Sequence, residues 1–205
     1  MTFPLLPFIT FSIVTIFTPG PNNISSMGFG VKYGYRGTLK FLIGVCVGAF
    51  AVFILAGFFS TFIAAYIPKV FPYVKYAGAA YIVFLGVQVM RSSITQKKEN
   101  KTEARFYQGI LLQFLNVKGI IYCLTVFTVF IHPHYTSIFI TLLFAGILNV
   151  VVFISISLYT VGGNVIKVFI KRERVYRAVN IVLGLALMYS AAAIVLSDAA
   201  VQGAG

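Results

Sequence analysis

The chain is expected to fold as an all-α membrane protein: six transmembrane helices in two inverted three-helix halves, with breaks in helices 1 and 4. Three observations predict this. Of the 205 residues 60% are hydrophobic and 10% charged, with a mean hydropathy of +0.96, which leaves too little polar surface to coat a water-soluble globule. Five stretches carry no formal charge: Met1–Val31, Phe41–Pro68, Tyr76–Met90, Gly119–Ile166 and Ala178–Ser197. Finally, Thr18-Pro19-Gly20-Pro21-Asn22 interrupts the first of them, and two prolines flanking a glycine remove two backbone donors, so no helix passes through unbroken.

A helix needs about 20 residues to cross the hydrocarbon core, which places spans at roughly 4–26, 38–60, 73–90, 108–131, 136–160 and 175–197. The run from Gly119 to Ile166 finishes one span and supplies the next, with His132-Pro133-His134 as the hinge. Continuous apolar runs, rather than alternating ten-residue segments, argue against a barrel. The N-terminus lacks the basic start and small-residue cleavage pattern of a signal peptide and is expected to be retained.

Net charge is +12, but its distribution points to a membrane rather than to nucleic acid, and no nucleic-acid partner is expected. Lys32, Arg36 and Lys40 lie in the first loop; Arg91, Lys97, Lys98, Lys101 and Arg105 in the third; Lys167, Lys171, Arg172, Arg174 and Arg177 in the fifth. The other side holds only Lys69 and Lys75. Basic residues stay on the cytoplasmic side, so the odd loops are read as cytoplasmic and both termini as outside, with a further pull from the anionic headgroups of the lipid bilayer.

The longest polar segment, 91–107, divides the chain into a first half (1–90) and a second half (108–205). An odd number of spans per half would invert one relative to the other, a common plan for proteins with alternating access. Tyr81-Ile82-Val83-Phe84-Leu85-Gly86-Val87-Gln88-Val89-Met90 resembles Asn180-Ile181-Val182-Leu183-Gly184-Leu185-Ala186-Leu187-Met188 with one gap. Each half also opens on an interrupted span, the second at Gln113-Phe114-Leu115-Asn116-Val117-Lys118-Gly119. Lys118 is the one formal charge well inside an apolar span, which makes it a functional candidate; the alternative is that it snorkels or neutralises helix-terminal carbonyls. Gly44-x3-Gly48, Ala77-Gly78-Ala79-Ala80 and Ala191-Ala192-Ala193 are small-residue faces suited to packing within the chain or, alternatively, to a homodimer. Cys46 and Cys123 fall within spans and read as packing residues rather than a disulfide framework.

Three motifs, taken in order, resemble the lysine-exporter family: Thr18-Pro19-Gly20-Pro21-Asn22 with the glycines after it, Lys75-Tyr76-Ala77-Gly78-Ala79-Ala80-Tyr81-Ile82-Val83-Phe84-Leu85-Gly86, and Phe114-Leu115-Asn116-Val117-Lys118-Gly119. The resemblance implies a bacterial inner-membrane exporter of amino acids or related small zwitterions, driven by an ion gradient. Two departures stand out. Many relatives have an aspartate where this chain has Asn22, and commonly a proline where it has Val117, so a carboxylate relay at the first break is in doubt and the second break should be milder.

An amino-acid zwitterion needs one pole for its carboxylate and one for its ammonium, and a broken helix offers both: free N–H groups at one half-helix, free carbonyls at the other. Pro19, Gly20, Pro21 and Asn22 are therefore candidates for substrate binding, with Asn23, Gln113 and Asn116 as neutral hydrogen-bonding groups and Lys118 as a cation for the carboxylate or a carrier of the coupling proton. Asn22 could instead only cap the broken end. Glu99, Glu103, Glu173 and Asp198 all lie outside the spans, so no carboxylate chain crosses the membrane. His132 and His134 read as polar hinge residues. No Gly-rich phosphate loop is present, and neither a cofactor nor a metal is expected. A membrane-embedded enzyme or a divalent-metal exporter would need carboxylates, histidines or an activated nucleophile grouped within the spans. A non-transporting assembly or sensor subunit would leave two helix breaks unexplained.

Overall fold

A computed structural model describes residues 3–91, 103–169 and 173–196. Its helices are α1 (Leu5–Phe17), α2 (Pro21–Met90), α3 (Phe106–Phe114), α4 (Val117–Thr125), α5 (Ile138–Phe169) and α6 (Glu173–Leu196), with a π-helical turn over Val126–Ile131. No strand occurs among the described residues. The centre of the expected linker, 92–102, lies outside them, as do Lys171, Arg172 and Asp198.

Straight, the 70 residues of α2 would run about 105 Å, several times the thickness of a bilayer core. The helix instead folds back on itself. Phe29 and Phe41 meet edge to face with ring centroids 4.8 Å apart, where a straight helix would separate them by about 18 Å. The reversal falls at Gly34, whose φ of 75° lies in the left-handed region that glycine adopts without a Cβ clash. The far end returns as well, because a Cβ on Gly28 would stand 2.8 Å from Cγ2 of Val89. We therefore describe α2 as three limbs, 21–33, 35–58 and 76–90. Pro68 and Pro72, each lacking a backbone donor, fall between the second and the third.

Close backbone crossings hold the bundle together. The first limb crosses α5 where a Cβ on Gly30 would fall 2.3 Å from the Thr160 carbonyl oxygen, and one on Gly163 2.2 Å from that of Met27. The second limb crosses α3 where a Cβ on Gly44 would fall 2.0 Å from the Phe106 carbonyl oxygen, so this small-residue face is used inside the chain. The third limb crosses α6 at Gly86 and Gly184. Without a hydrophobic force between helices in lipid, such van der Waals closeness is the main source of association. Between the crossings lie two apolar clusters, one around Phe29, Phe41, Leu85 and Leu187, the other around Phe53, Tyr122, Phe127 and Ile131. Phe139, Val150, Leu158 and Val182 point outward and exposed, as a lipid-facing surface requires.

Among the described residues three helices are long and apolar enough to cross a membrane: Pro21–Phe58, Ile138–Ile166 and Arg174–Ala193. A fourth span results if Phe106–Phe114 and Val117–Ile131, bent by 62°, count as one. Of the other two expected spans, the first ends at Phe17 and the third presents, among the described residues, the shorter apolar helix Tyr76–Met90. One end of the bundle gathers the odd connections: Ala104 N donates to Gly37 O (2.9 Å), Lys40 pairs with Glu103 (2.6 Å), and Tyr176 OH reaches Val31 O (3.5 Å). The N-terminal Phe3 packs instead on His134 and Tyr135, each at 5.6 Å between ring centroids, where the chain turns after Ile131 as expected.

Candidate functional site

α1 stops because Pro19 and Pro21 cannot supply the next amide donors, and α2 restarts with Gly20 extended as its cap and Pro21 in its first turn, where proline's missing donor costs nothing. The last carbonyls of α1 are left without helical partners. The cap residue Thr18 and side chains of three helices bond to the carbonyls at this end. The Thr18 hydroxyl bonds back to Val14 O; Asn23 Nδ2 donates to Ile16 O (2.9 Å) and Thr18 O (3.2 Å); Ser155 Oγ donates to Ile16 O (3.1 Å) and Tyr159 OH to Phe17 O (2.9 Å) from α5. From α4, Lys118 Nζ donates to Thr18 O at 2.9 Å.

The second break is sharp rather than mild. With no proline at 117, Leu115 caps the end of α3 and Asn116 opens α4, its Oδ1 accepting from Gly119 N (3.2 Å) as an N-cap. A single capping residue thus accounts for a 62° bend without proline.

The two breaks meet. Asn22 Nδ2 donates to Gln113 Oε1 at 2.6 Å, and a Cβ on Gly119 would touch the side-chain amide nitrogens of both Gln113 (2.9 Å) and Asn116 (3.2 Å), so these amides lie side by side. Gly20 has the same relation to Lys118, whose Cδ and Nζ would stand 3.2 and 3.3 Å from a Cβ there. Asn22 Oδ1 is buried and lacks a partner within the protein, as does the hydroxyl of Tyr122 in the same lining.

Between the breaks is a half-open cavity of about 60 Å³. Gly20, Pro21, Asn22, Asn23, Gln113, Asn116 and Lys118 line it; Pro19 is exposed on the turn and does not. Asn23 commits its amide nitrogen to the α1 carbonyls. The sequence reading missed the apolar lining, Ala49, Phe53, Val152 and Ile156, and the α5 pair Ser155 and Tyr159 that bonds to the α1 carbonyls. The pair had a signal: two hydroxyls four residues apart on an apolar helix share one face. Cys123 also lines the cavity, and both cysteines are free thiols.

Helix N-termini and helix C-termini meet here around a cavity with both polar and apolar lining, the arrangement of a membrane transporter of the broken-helix kind. The LysE type translocator family profile matches residues 13–198, and the chain belongs to that family. It is 31% identical over 195 residues to a cysteine/O-acetylserine efflux protein of Salmonella paratyphi A, covering 91% of this chain and 95% of the relative. The protein of that name from Escherichia coli is 32% identical over 195 residues, with the same coverage. No solved structure matches.

Proposed function

We propose that the protein exports a small amino acid or amino-acid derivative across the bacterial inner membrane by alternating access, coupled to an ion gradient and without nucleotide. The observation that carries this reading is the junction of the two breaks, Asn22 to Gln113 at 2.6 Å and Lys118 to Thr18 at 2.9 Å, around one cavity. The first turns of α2 and α4 offer N–H groups and the positive ends of two helix dipoles to a carboxylate, with Asn22, Gln113 and Asn116 as neutral partners. The C-terminal carbonyls of α1 offer the opposite pole to an ammonium. Lys118 rests on that pole and turns to the substrate's carboxylate when the ammonium takes its place. The relatives named for efflux of cysteine and O-acetylserine, both small zwitterions, support the same class.

The architecture proposed for this cycle is six spans, with residues 1–90 and 108–205 as inverted halves joined by the cytoplasmic linker 91–107. Three contacts favour it. The first limb packs on α5, α4 packs on the second limb through Tyr122 and Phe53, and the third limb packs on α6, which is the exchange of partners an approximate two-fold axis requires. Gly86 and Gly184, matched in the internal sequence repeat, touch each other, as equivalent residues on such an axis would. The basic odd connections gathered at one end favour that end as cytoplasmic and the termini as external.

The test is efflux from proteoliposomes loaded with a panel of labelled amino acids, with and without an imposed proton or sodium gradient. Accumulation against the concentration difference only when a gradient is present is the expected result. Flux of no panel member above that of empty vesicles would remove the reading.

A further inference from the structure

Building on the assignment of the cavity to an amino acid, we infer that Ala49 and Phe53 on the second limb, with Val152 and Ile156 on α5, form the subsite for the substrate's side chain and admit only a short, uncharged one. The cavity has two chemically different parts. Thr18, Asn22, Gln113, Asn116 and Lys118, with the helix ends beside them, serve the ammonium and carboxylate. Every amino acid carries those groups, so that part does not tell one substrate from another. Discrimination falls to the rest of the lining.

Ala49 and Phe53 are four residues apart on one helix, and Val152 and Ile156 four apart on another, so each helix turns a two-residue apolar stripe to the cavity. The wall is fixed. Phe53 is 1% exposed, held edge to face against Tyr122 at 6.0 Å and Phe127 at 6.5 Å between ring centroids, and Ile156 is 1% exposed in the neighbouring cluster. The second limb lies close against α3, because Gly48, next to Ala49, packs on the Gln113 side chain, where an added Cβ would stand 3.0 Å from Gln113 Cβ. Space for a side chain is therefore set by the small size of Ala49 and the position of the Phe53 ring.

Charge narrows the class further. Among the described residues no acidic side chain lines the cavity, and the one charged group that does is Lys118. A cationic side chain would enter without a counter-charge and close to another ammonium; an anionic one would leave water for a wall of alanine, phenylalanine, valine and isoleucine. Both are costly in a desolvated site.

The experiment uses the full chain in proteoliposomes with labelled alanine, serine, O-acetylserine, leucine, lysine and glutamate, read as flux ratios so that differences in protein recovery cancel. The native protein is expected to carry serine and O-acetylserine and to leave lysine and glutamate at the level of empty vesicles. Ala49→Leu should lower O-acetylserine flux relative to alanine by about tenfold, and Phe53→Leu should raise leucine relative to alanine by about tenfold, the discrimination that one or two methylenes give in an apolar pocket. Val152→Ala supplies the widening test if Phe53→Leu does not fold. Lysine carried as fast as serine, or native ratios in the narrowing and widening variants alike, overturns the subsite while leaving amino-acid transport intact. Flux of none of the six overturns the amino-acid reading itself.

Discussion

The side-chain amide of Asn22 donates to Oε1 of Gln113 over 2.6 Å, joining residues 91 positions apart that each sit at the edge of a broken helix. The bond fixes the distance between the breaks and leaves Asn22 Oδ1 buried and unsatisfied beside the cavity. An acceptor held that way is ready for an ammonium or a water entering with the substrate.

Asn22→Leu should therefore lower export by about tenfold or more, the usual cost of removing a hydrogen bond near a charged ligand. Asn22→Asp should keep most of the activity, because the Gln113 amide can rotate by half a turn and donate Nε2 instead. Initial efflux rates of the two variants check this, and equal loss in both would assign Asn22 a packing role.

Lys118→Gln keeps a donor for the Thr18 carbonyl but removes the charge. If the lysine carries the coupling proton, the variant loses uphill transport and retains downhill flux; if it mainly binds the substrate carboxylate, both fall by about tenfold or more. Full gradient-driven efflux by the variant would make this lysine a structural cap for α1 and nothing else.

Glycine substitutions should separate site from scaffold. Gly20→Ala places its methyl against the flexible end of Lys118, so the fold stays intact and transport drops. Gly44→Ala aims its methyl at the Phe106 carbonyl oxygen, 2.0 Å away, and should destabilise by roughly 1–3 kcal/mol or more because backbone must move. A thermal scan with a thiol-reactive dye reads this directly, since Cys46 and buried Cys123 are free and react on unfolding. Equal melting temperatures for the native protein and Gly44→Ala would show that the second limb and α3 are not in close contact.

The orientation is tested by single cysteines at the exposed positions Arg36 and Pro133 in a chain whose native thiols are replaced by alanine. An impermeant reagent added outside intact cells should label the cysteine at 133 and leave that at 36 unlabelled until the membrane is opened. The reverse pattern would invert the assignment of the basic end to the cytoplasm.

Much of the site was legible because membrane insertion makes polar residues conspicuous. Asn22, Gln113, Asn116 and Lys118 stand out in apolar runs, and a proline pair marks its own break. The turn at His132-Pro133-His134 was readable for the same reason. The 62° bend at Asn116 was underestimated, since without proline only the cap geometry reveals it. The π-helical turn at Val126–Ile131 left no trace in an apolar stretch of ordinary residues. Gly34 was one glycine in a series of similar glycines, and only its φ of 75° distinguishes the one that reverses the chain.

Composition, charge distribution and the broken-helix motifs determined by themselves that this is an all-helical membrane protein and which polar residues stand at its helix breaks, because lipid tolerates a charge or a free backbone group only for a reason. Tertiary structure decided what those residues do to one another. Whether Lys118 faces lipid headgroups or the end of α1, whether Gly44 packs within the chain, and which apolar residues out of many form the wall at Ala49, Phe53, Val152 and Ile156 are set by helix crossings between distant segments. Apolar side chains look alike along a membrane helix, and only the crossing of one helix on another selects the few that face the cavity.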